Sequence, residues 1–348
     1  MFRFYADETG IQFRDRYCTI AGYVGSVQQW EGVEHDWKFV LDEFRIPYFH
    51  ALEFYGSDKK YRAWNKGKRK AFFDALMDCL RDHEIRVLGS SVDVQVFTSL
   101  TEDERHYVTG GFHNGMKWKY PGAPSKPYFL PFHNVLQQAT KYVADGDLMD
   151  PVMSRQDQYE MKALQLYVRM LNGYPAPKCR AKWADGMIFS DPKKVVQLQA
   201  ADLAAYWFGQ FMKYLASTGD KTARDFPNKY EFLRVMERLQ SKSDFKLFDF
   251  QGLMLLIQGS NRYIRTSFPG RDQSLPSLPV EERKRILSVM RKADLRKFAG
   301  QWQPTAQADH AQIESARVGH SVPVLLRWLE RPSQQGFARA DETYTADR

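Results

Sequence analysis

An aspartate set among alanines limits what this chain can fold into. Gln199-Ala200-Ala201-Asp202-Leu203 lies in Val195–Ala216, a stretch whose spacing predicts a long helix. Gln199 and Asp202 share one face of that helix, and Tyr206 continues the stripe. Ala200, Ala201, Ala204 and Ala205 keep the adjoining faces small, so the helix can press closely against a sheet. An acid in such surroundings lacks the Lys/Glu mixture of a solvated face and needs a partner once buried; a divalent cation is one. Far away in sequence, the apolar run Phe2–Ala6 closes on Asp7-Glu8-Thr9-Gly10, a strand followed by a turn signal. One acid at a buried strand end and another on a helix beside it is the layout of a metal-dependent phosphodiester-cleaving site.

The remaining pattern alternates strand and helix. Tyr17–Val24 reads as a second strand forming a hairpin with the first. Trp30, Val33, Trp37, Val40, Leu41 and Phe44 recur at helical spacing, as do Phe72, Phe73, Leu76, Met77 and Leu80. Ile85–Val94 has the β-branched character of a strand. Thr109–Pro127 reads as an irregular loop, and Tyr128–Ala144 and Tyr159–Leu171 as helices. Met187–Ser190 is a short strand, and Asp191-Pro192 opens the alanine-rich helix. Tyr230–Ile257 reads as helical with a break at Ser241–Asp244, and Phe268–Pro279 as a linker. Glu281–Lys297 is a basic amphipathic helix with Ile286, Val289, Met290 and Leu295 on its apolar side. After Gln301 the chain is polar except for Ser321–Trp328, which predicts partial disorder.

The chain's 348 residues suffice for one sizeable domain and an appendage. The formal charge of +8 suits a polyanionic partner, an argument about association and not about fold. Cys18, Cys79 and Cys179 form no metal-ligand pattern and point to a reducing compartment. Neither a signal peptide nor a bilayer-length apolar stretch is visible, so the expectation is a cytoplasmic protein without membrane contact. Walker A, dinucleotide, zinc-finger and serine-elbow motifs are absent from the sequence.

Asp7 and Glu8 are neighbours on a strand, so their side chains reach a common site only if the strand ends there; Thr9-Gly10 predicts that end. His50 and Glu53 stand at a spacing that shares a helical face and suits metal binding or proton relay. A solitary pair of this kind is common by chance, and a structural polar contact is the reading the sequence favours. The basic segment Arg283–Lys297 offers phosphate contacts or a plain solvated face.

With these motifs in order, the chain resembles the domain of unknown function 3800 family over roughly its first 215 residues. The resemblance rests on Asp7-Glu8-Thr9-Gly10, His50 to Glu53, Phe189-Ser190-Asp191 and Gln199–Leu203. It implies an α/β, ribonuclease H-like fold: a mixed sheet flanked by helices, its first three strands antiparallel. It further implies a nuclease using Mg²⁺ or Mn²⁺, with Asp7, Glu8 and Asp202 as metal ligands, Glu53 completing the shell and His50 a general acid. One departure stands out. In Val152-Met153-Ser154-Arg155-Gln156-Asp157, Ser154 takes the place where the family pattern carries an Asp. Either Asp157 or Asp150 compensates, or the site is weakened.

The expected organisation is a ribonuclease H-like domain with helical insertions over 1–258 and a basic helical extension over 259–348. The expected function is hydrolysis of DNA or RNA. The alternative is a catalytically weakened module of the same fold that binds nucleic acid or a protein partner, the latter through the C-terminal extension.

Overall fold

The structure, a computed structural model, describes residues 1–10, 15–56, 58–113, 118–173, 180–218, 226–227, 229–236, 245–248, 252–253 and 256. In chain order the elements are β1 (Phe2–Thr9), β2 (Tyr17–Ser26), α1 (Val27–Phe44), α2 (Ala51–Tyr55), α3 (Lys66–Asp82) and β3 (Arg86–Asp93). There follow α4 (Val94–Ser99), α5 (Glu102–Val108), β4 (Phe112–His113), β5 (Trp118–Tyr120), α6 (Phe129–Ala139) and β6 (Met149–Ser154). Then come α7 (Glu160–Gly173), β7 (Ile188–Ser190), α8 (Val196–Thr218), α9 (Lys229–Met236) and β8 (Phe245–Phe248).

Six strands form one mixed sheet in the order β7-β6-β1-β2-β3-β8. β1, β2 and β3 make an antiparallel meander, while β6 runs parallel to β1, β7 parallel to β6, and β8 parallel to β3. Strand alternation sorts the side chains into two layers. Tyr5, Ala21, Tyr23 and Val87 pack with α1, α3 and α8, around Trp30, Trp37, Leu76 and Leu203. Phe4, Ala6, Ile20, Val24 and Leu88 pack with α6 and α7, around Tyr128, Val135 and Tyr167.

Local chemistry sets the boundaries. Ser26 caps α1: its hydroxyl accepts from the Gln29 N–H, and the Gln29 side chain accepts from the Ser26 N–H. Arg45 ends α1 in the left-handed region at φ 59°. The Asn65 side chain caps α3 in the same way as Ser26, accepting from the Lys68 N–H.

Three segments differ from the sequence reading. β1 continues past Ala6 to Thr9, because Asp7, Glu8 and Thr9 keep pairing with Ala21, Ile20 and Thr19. The expected loop 109–127 contains the short antiparallel pair β4–β5. In the expected helical stretch 230–257, Lys229–Met236 is helical but residues 245–248 are a strand, for pairing with β3 buries Phe245 and Phe248 on opposite faces of the sheet. The linker, the basic helix and the polar tail of 259–348 lie outside the described residues. No helix among the described residues is long and apolar enough to cross a membrane.

Candidate functional site

The alternation along β1 points Asp7 to the same face as Tyr5, toward α8. The helix comes unusually close here. A Cβ on Gly209 would stand 2.4 Å from the Thr9 Cγ2, so any larger residue there would force Thr9 or the helix to shift. Asp202, on α8, is thereby brought near the end of β1, close enough for the Asp7 charge to act on it. Buried Ala200, Ala201, Ala204 and Ala205 make the contact flush, as their size predicts.

Two polar residues of α8 hold the segment before α2 in place. The Gln199 Oε1 accepts from the Trp37 indole N–H at 3.3 Å and from the Phe49 N–H at 2.9 Å. The Asp202 Oδ2 accepts from the Ala51 N–H at 2.6 Å. These bonds tie the segment carrying His50 to the helix. His50 stands at the N-terminus of α2 with its Nε2 3.9 Å from the Asp202 Oδ1 and its Nδ1 3.5 Å from the Glu53 Oε1. Glu53 is paired with Lys60 and accepts from the Tyr48 hydroxyl at 3.2 Å. Asp7, Asp202, His50 and Glu53 therefore share one side of the sheet.

Glu8 does not. Because β1 runs on through Thr9, Glu8 turns to the opposite face, where its charge acts on Cys18, Tyr128 and Tyr159. Both its carboxylate oxygens are shielded from solvent without a hydrogen bond of ordinary geometry, the Gln156 amide nearby offsetting only part of the effect of burial.

The electrostatics are those of crowded, desolvated acids. Burial pushes the Asp7 carboxyl up to about 6, against the pull of the Glu8 N–H and the Ser154 hydroxyl. Burial, and then the Asp7 charge, drive Asp202 well above the usual carboxylate range. Glu8 rises for the same two reasons. Burial also lowers His50 below the ordinary imidazole value, Glu53 opposing and Lys60 and Lys193 assisting. A neutral imidazole at neutral pH has a lone pair free to take a proton, a role closer to base than to acid.

The sequence reading expected an acid at the end of the middle strand, where Ser154 stands. The register pairs Met153 with Ala6, so Ser154, buried at the end of β6, falls beside Asp7 with its hydroxyl within hydrogen-bonding reach. Neither expected substitute stands there. Asp150 pairs with Arg3 at the far end of β1, and Asp157 is exposed in a shallow depression with Arg155, Gln158 and Asp191. Asp191 itself organises the turn into α8, accepting from the Lys193 N–H through its side chain and from Lys194 through its carbonyl.

Sequence reasoning did not find Tyr48, Lys60 and Lys193. Lys60 and Lys193 both approach the Tyr48 ring, at 3.7 and 5.2 Å from its centroid. The polar run Asp58-Lys59-Lys60 and the Lys193-Lys194 pair are common surface patterns, and only the fold brings them together.

Among the described residues, no group of three or more His, Cys, Asp or Glu is gathered to cage a metal ion. What the site does offer is two hard oxygen donors, Asp7 and Asp202, whose raised carboxyls lack any cationic partner within the cluster. Two carboxylates are oxygen donors of the kind a hard divalent cation such as Mg²⁺ would take, together with its waters and substrate phosphates. Compared with family models, curated proteins and solved structures, the chain matches none.

Proposed function

We propose that this chain is a ribonuclease H-like, Mg²⁺- or Mn²⁺-dependent nuclease acting on DNA or RNA. The observation that carries the reading is the convergence of Asp7 from a central strand and Asp202 from the helix behind it. Asp7 is buried and Asp202 is mostly shielded, with 13% of its side chain exposed, and burial holds both above the usual carboxylate range. Mutual repulsion in a dry setting is tolerated where function needs it, and a cation between them would relieve it. The strand order supports the fold assignment: an antiparallel β1-β2-β3, then β6 and β7 parallel on the other side of β1, followed by the acid-bearing α8.

In this reading Asp7 and Asp202 hold the ion, and the Ala51 N–H fixes the Asp202 carboxylate through its Oδ2. A bound divalent ion supplies an activated water and charge stabilisation at the leaving oxygen. His50, kept neutral by burial against the opposing charge of Glu53, would take a proton at the edge of the same site. Glu8 acts from behind the strand and is not a ligand on this face. The test is Asp7→Asn and Asp202→Asn: each folds, and each loses cation-dependent cleavage of labelled DNA or RNA. Unchanged cleavage in either variant overturns the assignment.

Ser154 favours a second reading, a catalytically weakened module of the same fold that still binds nucleic acid or a protein. A hydroxyl beside Asp7 is a poor substitute for a third carboxylate, and neither Asp150 nor Asp157 stands in for it.

A further inference from the structure

A divalent ion on Asp7 and Asp202 would meet the phosphate being cleaved, but the neighbouring phosphates of a strand lie beyond it, where a cation of the protein can face them. Lys60 and Lys193 are the cations that act on the His50 edge of the site. Lys60 is neutralised by Glu53. Lys193 is exposed and, among the described residues, makes no ion pair; its ammonium rests over the Tyr48 ring instead. A cation on an aromatic face is held by the ring quadrupole yet keeps its donors available. Both halves of this arrangement are anchored to the carboxylate site. Asp191 fixes the turn that presents Lys193, and Gln199 binds the Phe49 N–H next to Tyr48.

We infer that Lys193, seated over Tyr48, is the contact for a phosphate next to the one cleaved, so that it positions a nucleic-acid strand across Asp7 and Asp202. The inference rests on the nuclease reading for its substrate but concerns binding alone. A point-charge contact of this kind reads no base, so it serves all sequences alike. The counterion released by one phosphate contact contributes roughly −0.7 to the salt slope on a single strand and −0.9 on a duplex.

The experiment is fluorescence anisotropy with the full-length chain in EDTA, which separates binding from cleavage. The probes are a labelled oligothymidylate and a labelled mixed-sequence duplex, each titrated over a range of salt. Lys193→Ala should weaken binding several-fold at low salt and reduce the slope by about 0.7 on the oligothymidylate and about 0.9 on the duplex. Lys193→Arg should restore both, and Lys59→Ala, a neighbouring exposed lysine, should leave the slope within the error of a single contact. A Lys193→Ala slope equal to wild type overturns the inference and leaves the nuclease reading untouched. Binding with the predicted change, but no cleavage under any cation, supports the contact and sinks the nuclease reading. A wild type that binds neither probe overturns the inference.

Discussion

Replacing Asp7 by Asn should make the protein more stable while removing its activity. An aspartate raised to about 6 in the folded state, against 3.8 when solvated, costs the fold about 3 kcal/mol once both states are ionised. The sign follows from proton counts. Between 3.8 and 6 the folded state binds more protons than the unfolded chain, so this contribution to stability falls as pH rises and stays lost above 6. Asn removes the charge but keeps a carbonyl oxygen for the Glu8 N–H, now 2.9 Å from the Asp7 Oδ1, while the Ser154 hydroxyl can accept from its amide. Asp202 and Glu8 gain as well, since both feel the Asp7 charge. The assay is urea unfolding of wild type and Asp7→Asn at pH 4 and pH 7 in EDTA; taking the difference cancels the titrating groups that do not feel Asp7, and leaves Asp7 with its neighbours Asp202 and Glu8. The variant should match wild type near pH 4 and exceed it by about 2–3 kcal/mol at pH 7, roughly 5–10 °C in Tm. Added Mg²⁺ or Mn²⁺ should then raise wild-type Tm and leave the variant unmoved. A variant less stable than wild type at pH 7, or a difference that ignores pH, refutes the account of a desolvated, unneutralised Asp7.

Other residues test how the site is held. Gln199→Ala strands two buried donors, the Trp37 indole and the Phe49 amide, and should cost about 2–5 kcal/mol in urea unfolding; a loss below about 1 kcal/mol means these bonds do not anchor the segment. Gly209→Ala gains about 1 kcal/mol of helix propensity but drives a methyl into Thr9, a clash of about 1–3 kcal/mol. The variant should be no more stable than wild type and show a smaller Mg²⁺-induced rise in Tm; a clear stabilisation with an unchanged rise contradicts the close approach. Ser154→Asp places a third carboxylate beside Asp7, so it should destabilise the cation-free protein and enlarge the Mn²⁺-induced Tm rise. If cleavage also climbs from undetectable to measurable, the weakened-module reading is the right account of wild type.

The antiparallel strands β1 to β3 and the helices α1, α3, α7 and α8 were legible because their signals are local. Asp202 stood out since its alanine neighbours left it no solvated face, and Ala200 and Ala201 are indeed fully buried. Much of the aromatic content proved to be core: Phe44, Phe49, Phe54, Trp64 and Phe72 pack around one another beneath the loop that leads to α3. Glu8 was assigned beside Asp7 on the condition that β1 stops there, and strand length is decided by pairing with β2, which no window around Glu8 contains. The fate of Ser154, Asp150 and Asp157 depended on the register of β6 against β1, again a long-range choice. Tyr48, Lys60 and Lys193 were out of reach for the same reason. Their meeting depends on where α8 holds the backbone of Phe49 and Ala51. Residues 245–248 read as helix because a four-residue edge strand carries too little period to overrule its flanks.

The most direct measurement is incubation of the pure full-length chain with labelled single- and double-stranded DNA and RNA, in Mg²⁺, in Mn²⁺ and in EDTA. The account predicts cleavage of at least one substrate that requires the cation and stops in EDTA. Cleavage that persists in EDTA, or none in any condition from protein that unfolds cooperatively, contradicts it.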